Sequence, residues 1–355
     1  MLLLSGCLDG GPRSVGAHED ACADCHPDQA AELEAGALAD TVSTALFQAL
    51  RDEVNAQLGV PGTALCDRCH LPSVGEDHGL SCATCHAAVG NTGTGDGLLL
   101  FDLTGPVRGP TGEADARSPH DVLAGGFAND SALCGTCHDV NVTAGFHETP
   151  FAHWRDAEPL RDAGSCVDCH MSPVPGVDRR ALPADLAPIA NLPGLDARPR
   201  ADHRFIGLNR DLDEAVALLG RAAALSVARD GDELVVTVRN RGLGHELPDG
   251  ASFLRELWVE ARDGDGWLGE RVWLSTRLTR EGVEVADPVL ADAQVRGAVP
   301  VGGARELRLS VDGSSAEVCL RFRQVRPDLL AHLGLDPELA GPVREVVCAS
   351  EEETP

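Results

Sequence analysis

Cys22-Ala23-Asp24-Cys25-His26 sets the pattern for the whole chain. Its C-x-x-C-H spacing returns at Cys66-Asp67-Arg68-Cys69-His70, Cys82-Ala83-Thr84-Cys85-His86, Cys134-Gly135-Thr136-Cys137-His138 and Cys166-Val167-Asp168-Cys169-His170. Two thiols three residues apart can add to the two vinyl groups of one porphyrin, and the His that follows is placed to bind its iron. A zinc knuckle or a structural disulfide would need only the cysteine pairs, and neither accounts for a His directly after each one. The five pentads therefore predict five covalently bound haem c groups, with His26, His70, His86, His138 and His170 as the proximal iron ligands.

Composition points the same way. The 355 residues allow two or three domains, but aromatic residues make up only 3%, with no Tyr and eight Phe, while Gly and Pro number 39 and 22. The first half is too poor in large apolar side chains for a conventional core. Porphyrins would fill that place, and thioethers with iron–histidine bonds would restrain a loop-rich backbone as disulfides restrain small secreted domains.

The formal charge is −27, and all 29 basic residues are Arg. A cationic patch for phosphates is lacking, so nucleic acid is excluded as a partner, whereas a redox protein with a basic docking face would be steered toward the chain. Thirteen cysteines and haem c both indicate an extracytoplasmic setting, periplasm or cell surface. Leu4-Ser5-Gly6-Cys7 resembles a bacterial lipobox, which would make Cys7 a lipid anchor, although the apolar run before it is shorter than a usual signal core. No run reaches the roughly 18 apolar residues of a membrane span.

Working outward from the motifs, residues 1–20 read as a lipoprotein-like leader and tether, 21–210 as a pentahaem domain and 211–355 as a β-rich domain. Pro27 to Ala39 and Val42 to Leu58 carry helix-forming residues between haems 1 and 2. Eleven residues separate His70 from Cys82, which should keep haems 2 and 3 close. Gly90 to Gly126 reads as a long haem-wrapping loop with one strand fragment at Leu98–Phe101, and Thr149 to Ala163 as a helix. Pro173, Pro175, Pro183, Pro188, Pro193 and Pro199 mark an extended connector without helix or sheet.

From Asp211 to Ala224 the pattern is an amphipathic helix, and beyond it short strands follow at regular spacing: Leu225–Ala228, Leu234–Val238, Leu254–Ala261, Arg271–Leu278, Glu306–Val311, Glu317–Arg323 and Val343–Cys348. These suggest a C-terminal β-sandwich. Cys319 and Cys348 lie on two of the strands, as a disulfide or as buried thiols. Asp263-Gly264-Asp265-Gly266 reads as a hairpin turn, since it lacks the ligand series of a calcium loop. The fold class is α+β and multidomain: a loop-rich, mainly helical multihaem domain with little regular structure, then the sandwich.

Each iron needs a sixth ligand or keeps an open position, and that choice separates an electron wire from an enzyme. Methionine is nearly excluded, because the internal Met171 adjoins its own proximal His170. Among the histidines outside the motifs, His120, His203 and His245 are the first candidates, followed by His78 and His153. His18 and His147 are reserves, and His332 reads as an ordinary surface residue.

Several of these segments together resemble the multihaem c-type cytochromes of the superfamily that includes cytochrome c nitrite reductase and hydroxylamine oxidoreductase. Cys22–Gln29 is similar to the first-haem opening, and Leu133–Val140, Thr149–Trp154 and Ser165–Met171 are similar to the central block. Asp202–Gly207 and Asn240–Gly250 resemble segments that present distal histidines, which implies that residues 242–250 return from the β-domain to the haem domain. Members often carry a Trp and a His soon after the first motif, and the stretch Leu33–Ala39 has neither, so haem 1 is left as the first place to look for an open iron. The resemblance implies Lys and Tyr at the catalytic sites of the two named enzymes, and this chain contains neither residue type. The expected function is electron transfer along closely spaced, mostly bis-histidine haems rather than catalysis. The alternative is a multihaem reductase or oxidase with one open-site haem acting on a small inorganic substrate.

Overall fold

A computed structural model of the chain describes residues 19–59, 65–72, 79–110, 118–157, 164–174, 176–184, 186–208, 211–242, 244–263, 266–311 and 316–351. Cys7, His18, His78, Pro175, Leu243, Gly264 and Asp265 lie outside the described residues. The chain forms two compact units, residues 1–139 with 164–206, and residues 140–163 with 207–355. Residues 140–163, expected with the haem motifs, thus group with the strand-rich unit, and the first unit ends at 206 instead of 210. The reason is visible in side-chain contacts: Phe146 packs edge-on against Phe253, and Gln294 donates to the His147 carbonyl.

In the first unit the regular elements are short and sit on the motifs. Helices cover Glu19–Cys25, Asp67–His70, Cys82–His86, Ser131–Gly135 and Cys166–His170. Such short helices are unstable alone, so their ends must be fixed locally. Ser81 and Ser165 form capping boxes with Thr84 and Asp168, and the Asp130 carboxylate accepts from the Ala132 amide. Between the first two motifs run the helices Pro27–Ala35 and Ala45–Leu58, the second capped by Thr44 and stopped by Gly59 at φ +63°. Among the described residues both apolar clusters belong to the second unit, while the first buries only scattered side chains such as Val42, Val54 and Ile206.

Two stretches carry more strand than the composition suggested. The 90–126 region holds strands at Leu99–Phe101, Val107–Gly109 and Val122–Ala124, the last two paired in parallel. The Pro-rich connector contains a small antiparallel ribbon that pairs Leu186 with Pro199 and Ala187 with Arg198. Proline is tolerated there because an edge position does not require its missing N–H.

In the second unit, alternation of apolar residues produces two antiparallel sheets that contribute to one apolar core. One sheet has Ala223–Asp230 and Ala304–Ser310 flanking Glu233–Asn240. The other runs Gly266–Trp273, Glu256–Asp263, Glu317–Arg323 and Arg344–Ser350 in that order. Leu234, Val236 and Val238 from the first and Leu257, Val259, Leu320 and Phe322 from the second are all buried, and the helix Leu212–Ala222 adds Ala215, Leu219 and Ala222. The expected strand Arg271–Leu278 is broken: it ends at Trp273, and Arg277–Arg280 joins a separate small sheet with Val283–Val285 and Ala293–Val295. Asp263 pairs with Gly266 across the expected hairpin turn. Cys319 and Cys348 stand opposite each other in register and are joined by a disulfide. Among the described residues no helix is long and apolar enough to cross a membrane.

Candidate functional site

The histidines decide what the motifs can do. His26 donates from Nδ1 to the Ile189 carbonyl at 2.5 Å, His70 to Thr41 at 3.0 Å and His86 to Arg108 at 2.5 Å. Outside the motifs, His203 donates to Ala201 at 3.0 Å and His120 to Asp121 at 3.3 Å. A carbonyl can only accept, so Nδ1 carries the proton in each ring and the lone pair is left on Nε2. That is the tautomer and orientation a metal-bound imidazole needs. Burial lowers the pKa of His26, His70 and His86 and takes His203 down to about 4, so these rings stay neutral, the ligating form.

Two of these rings meet partners from outside the motifs. The His26 and His120 centroids are 6.3 Å apart with planes 33° apart, and those of His86 and His203 are 6.4 Å apart at 25°. A metal–nitrogen bond of about 2.0 Å plus roughly 1.2 Å from nitrogen to ring centre puts two rings on one metal about 6.4 Å apart. Two imidazoles that held one iron would stand at about this separation, so His26 with His120 and His86 with His203 are the residues that would hold one. The ring that stands opposite His26 comes from His120, far along the chain. His203 is fixed further by Glu32, which accepts from its backbone amide at 3.0 Å and also binds Arg200 at 2.9 Å.

The thiols gather in the same unit. Cys69 lies in hydrogen-bond contact with Cys137, and Cys134 with Cys166, while Cys85 is close to both Cys134 and Cys137. Thiol contact and burial push Cys134 and Cys137 up, and the bond from Cys134 brings Cys166 down to about 7. Motif 4 is thus the junction of motifs 2 and 5, and the helix of motif 1 packs on that of motif 3. Motif 4 meets its sequence neighbours, motifs 3 and 5, and also motif 2. Nine of the ten motif cysteines, including Cys22, Cys66, Cys82 and Cys169, stand outside any disulfide. Cys25, the tenth, is buried at the end of the helix of motif 1.

Loop residues complete the enclosure. The Gly95 and Gly97 amides donate to the Gly135 and Thr136 carbonyls, and Asn91 reaches Thr136. A Cβ on Gly97, at φ +69°, would sit 2.6 Å from Arg68 Cβ and 2.8 Å from Cys69 Sγ. Only glycine allows that approach.

Other predicted residues fall in the second unit. His153, on the helix Pro150–Asp156, donates from Nδ1 to Asp249 Oδ2 at 2.6 Å, and His245 donates to the Glu246 carbonyl at 2.9 Å. Gly244 lies against Trp154, and Leu247 bridges Val299. His147 Nδ1 is 3.1 Å from Asn141 Oδ1, and His332 Nε2 is 3.6 Å from Asp287. His138 ends motif 4 with its amide bonded to the Cys134 carbonyl, and His170 ends the helix of motif 5. Sequence reasoning missed Asp249 and Glu32, and it had no signal for the carbonyls of Thr41, Arg108, Ile189 and Ala201, because any residue supplies a carbonyl.

The residues fit haem: imidazole pairs whose centroids stand 6.3 and 6.4 Å apart, cysteine thiols in the same motifs, and a unit whose own side chains form no apolar cluster among the described residues. No protein-family model matches the sequence, and no curated protein does. Among solved structures, the chain is similar to a penta-heme cytochrome c552 from Thermochromatium tepidum, with 19% identity over 96% of this chain and 100% of that one and a TM-score of 0.65. At that identity the likeness establishes a common fold.

Proposed function

We propose that the protein is an extracytoplasmic pentahaem c-type cytochrome that passes electrons between redox partners, within the broad superfamily its sequence resembles. In this reading a loop-rich haem unit precedes a β-sandwich. Haem c supplies a one-electron Fe(III)/Fe(II) couple when bound. The chain's residues do the rest: the motif cysteines fix the ring covalently, the motif histidines bind one face, and histidines brought in from elsewhere bind the other. The observation that carries the proposal is the pairing of His26 with His120 and of His86 with His203 at trans-ligand spacing.

With both axial positions filled by imidazole, an iron can change charge without changing ligands, which suits electron transfer and leaves no position for substrate. We assign His120 to haem 1 and His203 to haem 3. His245, His153 and His78 remain the further candidates for distal ligands. Acidic surface charge would favour partners with basic faces, and Cys7 would supply a lipid anchor.

The test is the purified holoprotein. It should contain five haems per chain, and its oxidised EPR spectrum should be low-spin throughout. A high-spin ferric signal together with rapid binding of cyanide or carbon monoxide would show an open iron and overturn the electron-carrier reading in favour of a haem enzyme.

A further inference from the structure

We infer that Glu32 and Arg200 form an ion pair that sets the reduction potential of the haem held by His86 and His203, with Glu32 as the positioning residue of the distal imidazole. The inference rests on the axial-ligand reading above, and every residue it uses belongs to the first unit. Glu32 lies on the helix Pro27–Ala35, whose N-cap is His26. Its Oε2 accepts the His203 backbone amide at 3.0 Å and stands 3.6 Å from His203 Nδ1. That nitrogen donates to the Ala201 carbonyl at 3.0 Å, so the carboxylate acts on the ring through space.

The other oxygen of Glu32, Oε1, binds Arg200 Nη2 at 2.9 Å. The two side chains are only 17% and 20% exposed, which limits screening by water. Asp28 is also 3.5 Å from Arg200, but at 70% exposure its charge is largely screened. Asp202, beside the ligand, is buried and paired with Arg204, and its amide donates to the Met171 carbonyl at 2.9 Å. The ligand loop is thus tied to the segment after motif 5 as well as to the helix after motif 1. A Cβ on Gly36 would collide with the Arg204 carbonyl, so the helix end and the loop meet backbone to backbone. On the opposite ring, His86 donates to the neutral carbonyl of Arg108.

Reduction at this site adds one electron from a donor protein to Fe(III) and moves no proton. A carboxylate beside the distal ring opposes the added negative charge, and a guanidinium favours it. Held together, the two charges offset each other, and the loss of either leaves its partner uncompensated. Removing Glu32 therefore raises the potential and removing Arg200 lowers it. A pair that served only to brace the loop would behave differently. Loss of either member would then loosen His203, and the potential would move in one direction in both cases.

The test is an EPR-monitored redox titration of holoprotein, wild type against Glu32→Gln, Arg200→Gln and Glu32→Asp, with His203→Ala marking the signal of this haem. Glu32→Gln keeps an oxygen for the His203 amide but no charge, and it should raise the potential of that one haem. Arg200→Gln should lower it. Each shift should change the ratio of oxidised to reduced iron at a fixed potential by roughly three- to tenfold. Glu32→Asp keeps the charge and should keep the wild-type value. Shifts of the same sign in Glu32→Gln and Arg200→Gln, unchanged potentials, or a shift at a different haem overturn the inference. If Glu32→Gln loses the haem, Arg200→Gln decides alone: a lowered potential supports the inference, and an unchanged or raised one overturns it. If His203→Ala leaves every haem low-spin, His203 is not a ligand, and the underlying reading fails instead.

Discussion

The imidazoles of His86 and His203 face each other with centroids 6.4 Å apart and planes only 25° from parallel. Nearly parallel rings donate into the same iron d orbital and split the pair that perpendicular rings would leave almost degenerate. Haem 3, and haem 1 with its rings at 33°, should therefore give rhombic low-spin EPR signals. His203→Ala should convert haem 3 alone to high spin, and His120→Ala haem 1 alone. Highly anisotropic low-spin signals from all five haems would contradict the ring geometry.

The first unit should depend on its haems for folding, and the second should not. Both apolar clusters among the described residues lie in the second unit, and short capped helices such as Cys82–His86 cannot persist without tertiary support. Chain made without haem attachment should show amide hydrogen exchange near the intrinsic rate across residues 19–139, while the strands Glu233–Asn240 and Glu317–Arg323 stay protected. Equal protection of the two units in apoprotein would mean that the first has a core of its own.

How much of this was legible depended on where the signal resides. Five pentads announce haem in the residues themselves, and the strands from Leu225 onward announce themselves by alternation. The ligand pairing could not be read, because His26 and His120 are brought together only by the folded path of the chain. Leu33–Ala39 holds no histidine, and the ring that stands opposite His26 comes from far along the chain. The tautomers were hidden for another reason: their acceptors are backbone carbonyls, such as that of Ile189. The segment 140–163 is flanked in sequence by two haem motifs, whereas its contacts, Phe146 with Phe253 and His153 with Asp249, are made across long separations that sequence does not show.

The disulfide Cys319–Cys348 closes a loop with a sequence separation of 29. Chain-entropy arguments give such a crosslink roughly 3–4 kcal/mol by restricting the unfolded chain. Cys319→Ala with Cys348→Ala should lower the denaturation midpoint of the second unit accordingly, and the haem count should remain five. A double variant with an unchanged midpoint would remove the disulfide from the stability of that unit.

Glu148 supplies a pH dependence whose sign can be worked out. Burial, reinforced by the charge of Asp249 and opposed by Arg255, pushes its carboxyl up from 4.5 to about 7. The folded protein then holds a proton that the unfolded chain releases between those values. This contribution is fully present below pH 4.5 and is lost as pH rises through about 7. The change is on the order of 2 kcal/mol for this partly buried group. Denaturant titrations of the holoprotein at pH 5 and pH 8 should differ by that amount in the transition of the second unit. Glu148→Gln, which mimics the protonated carboxyl, should abolish most of the difference. A protonated-carboxyl stretch in the infrared should be present at pH 5, absent at pH 8 and missing from the variant. If the variant keeps the wild-type pH dependence, the titrating group lies elsewhere.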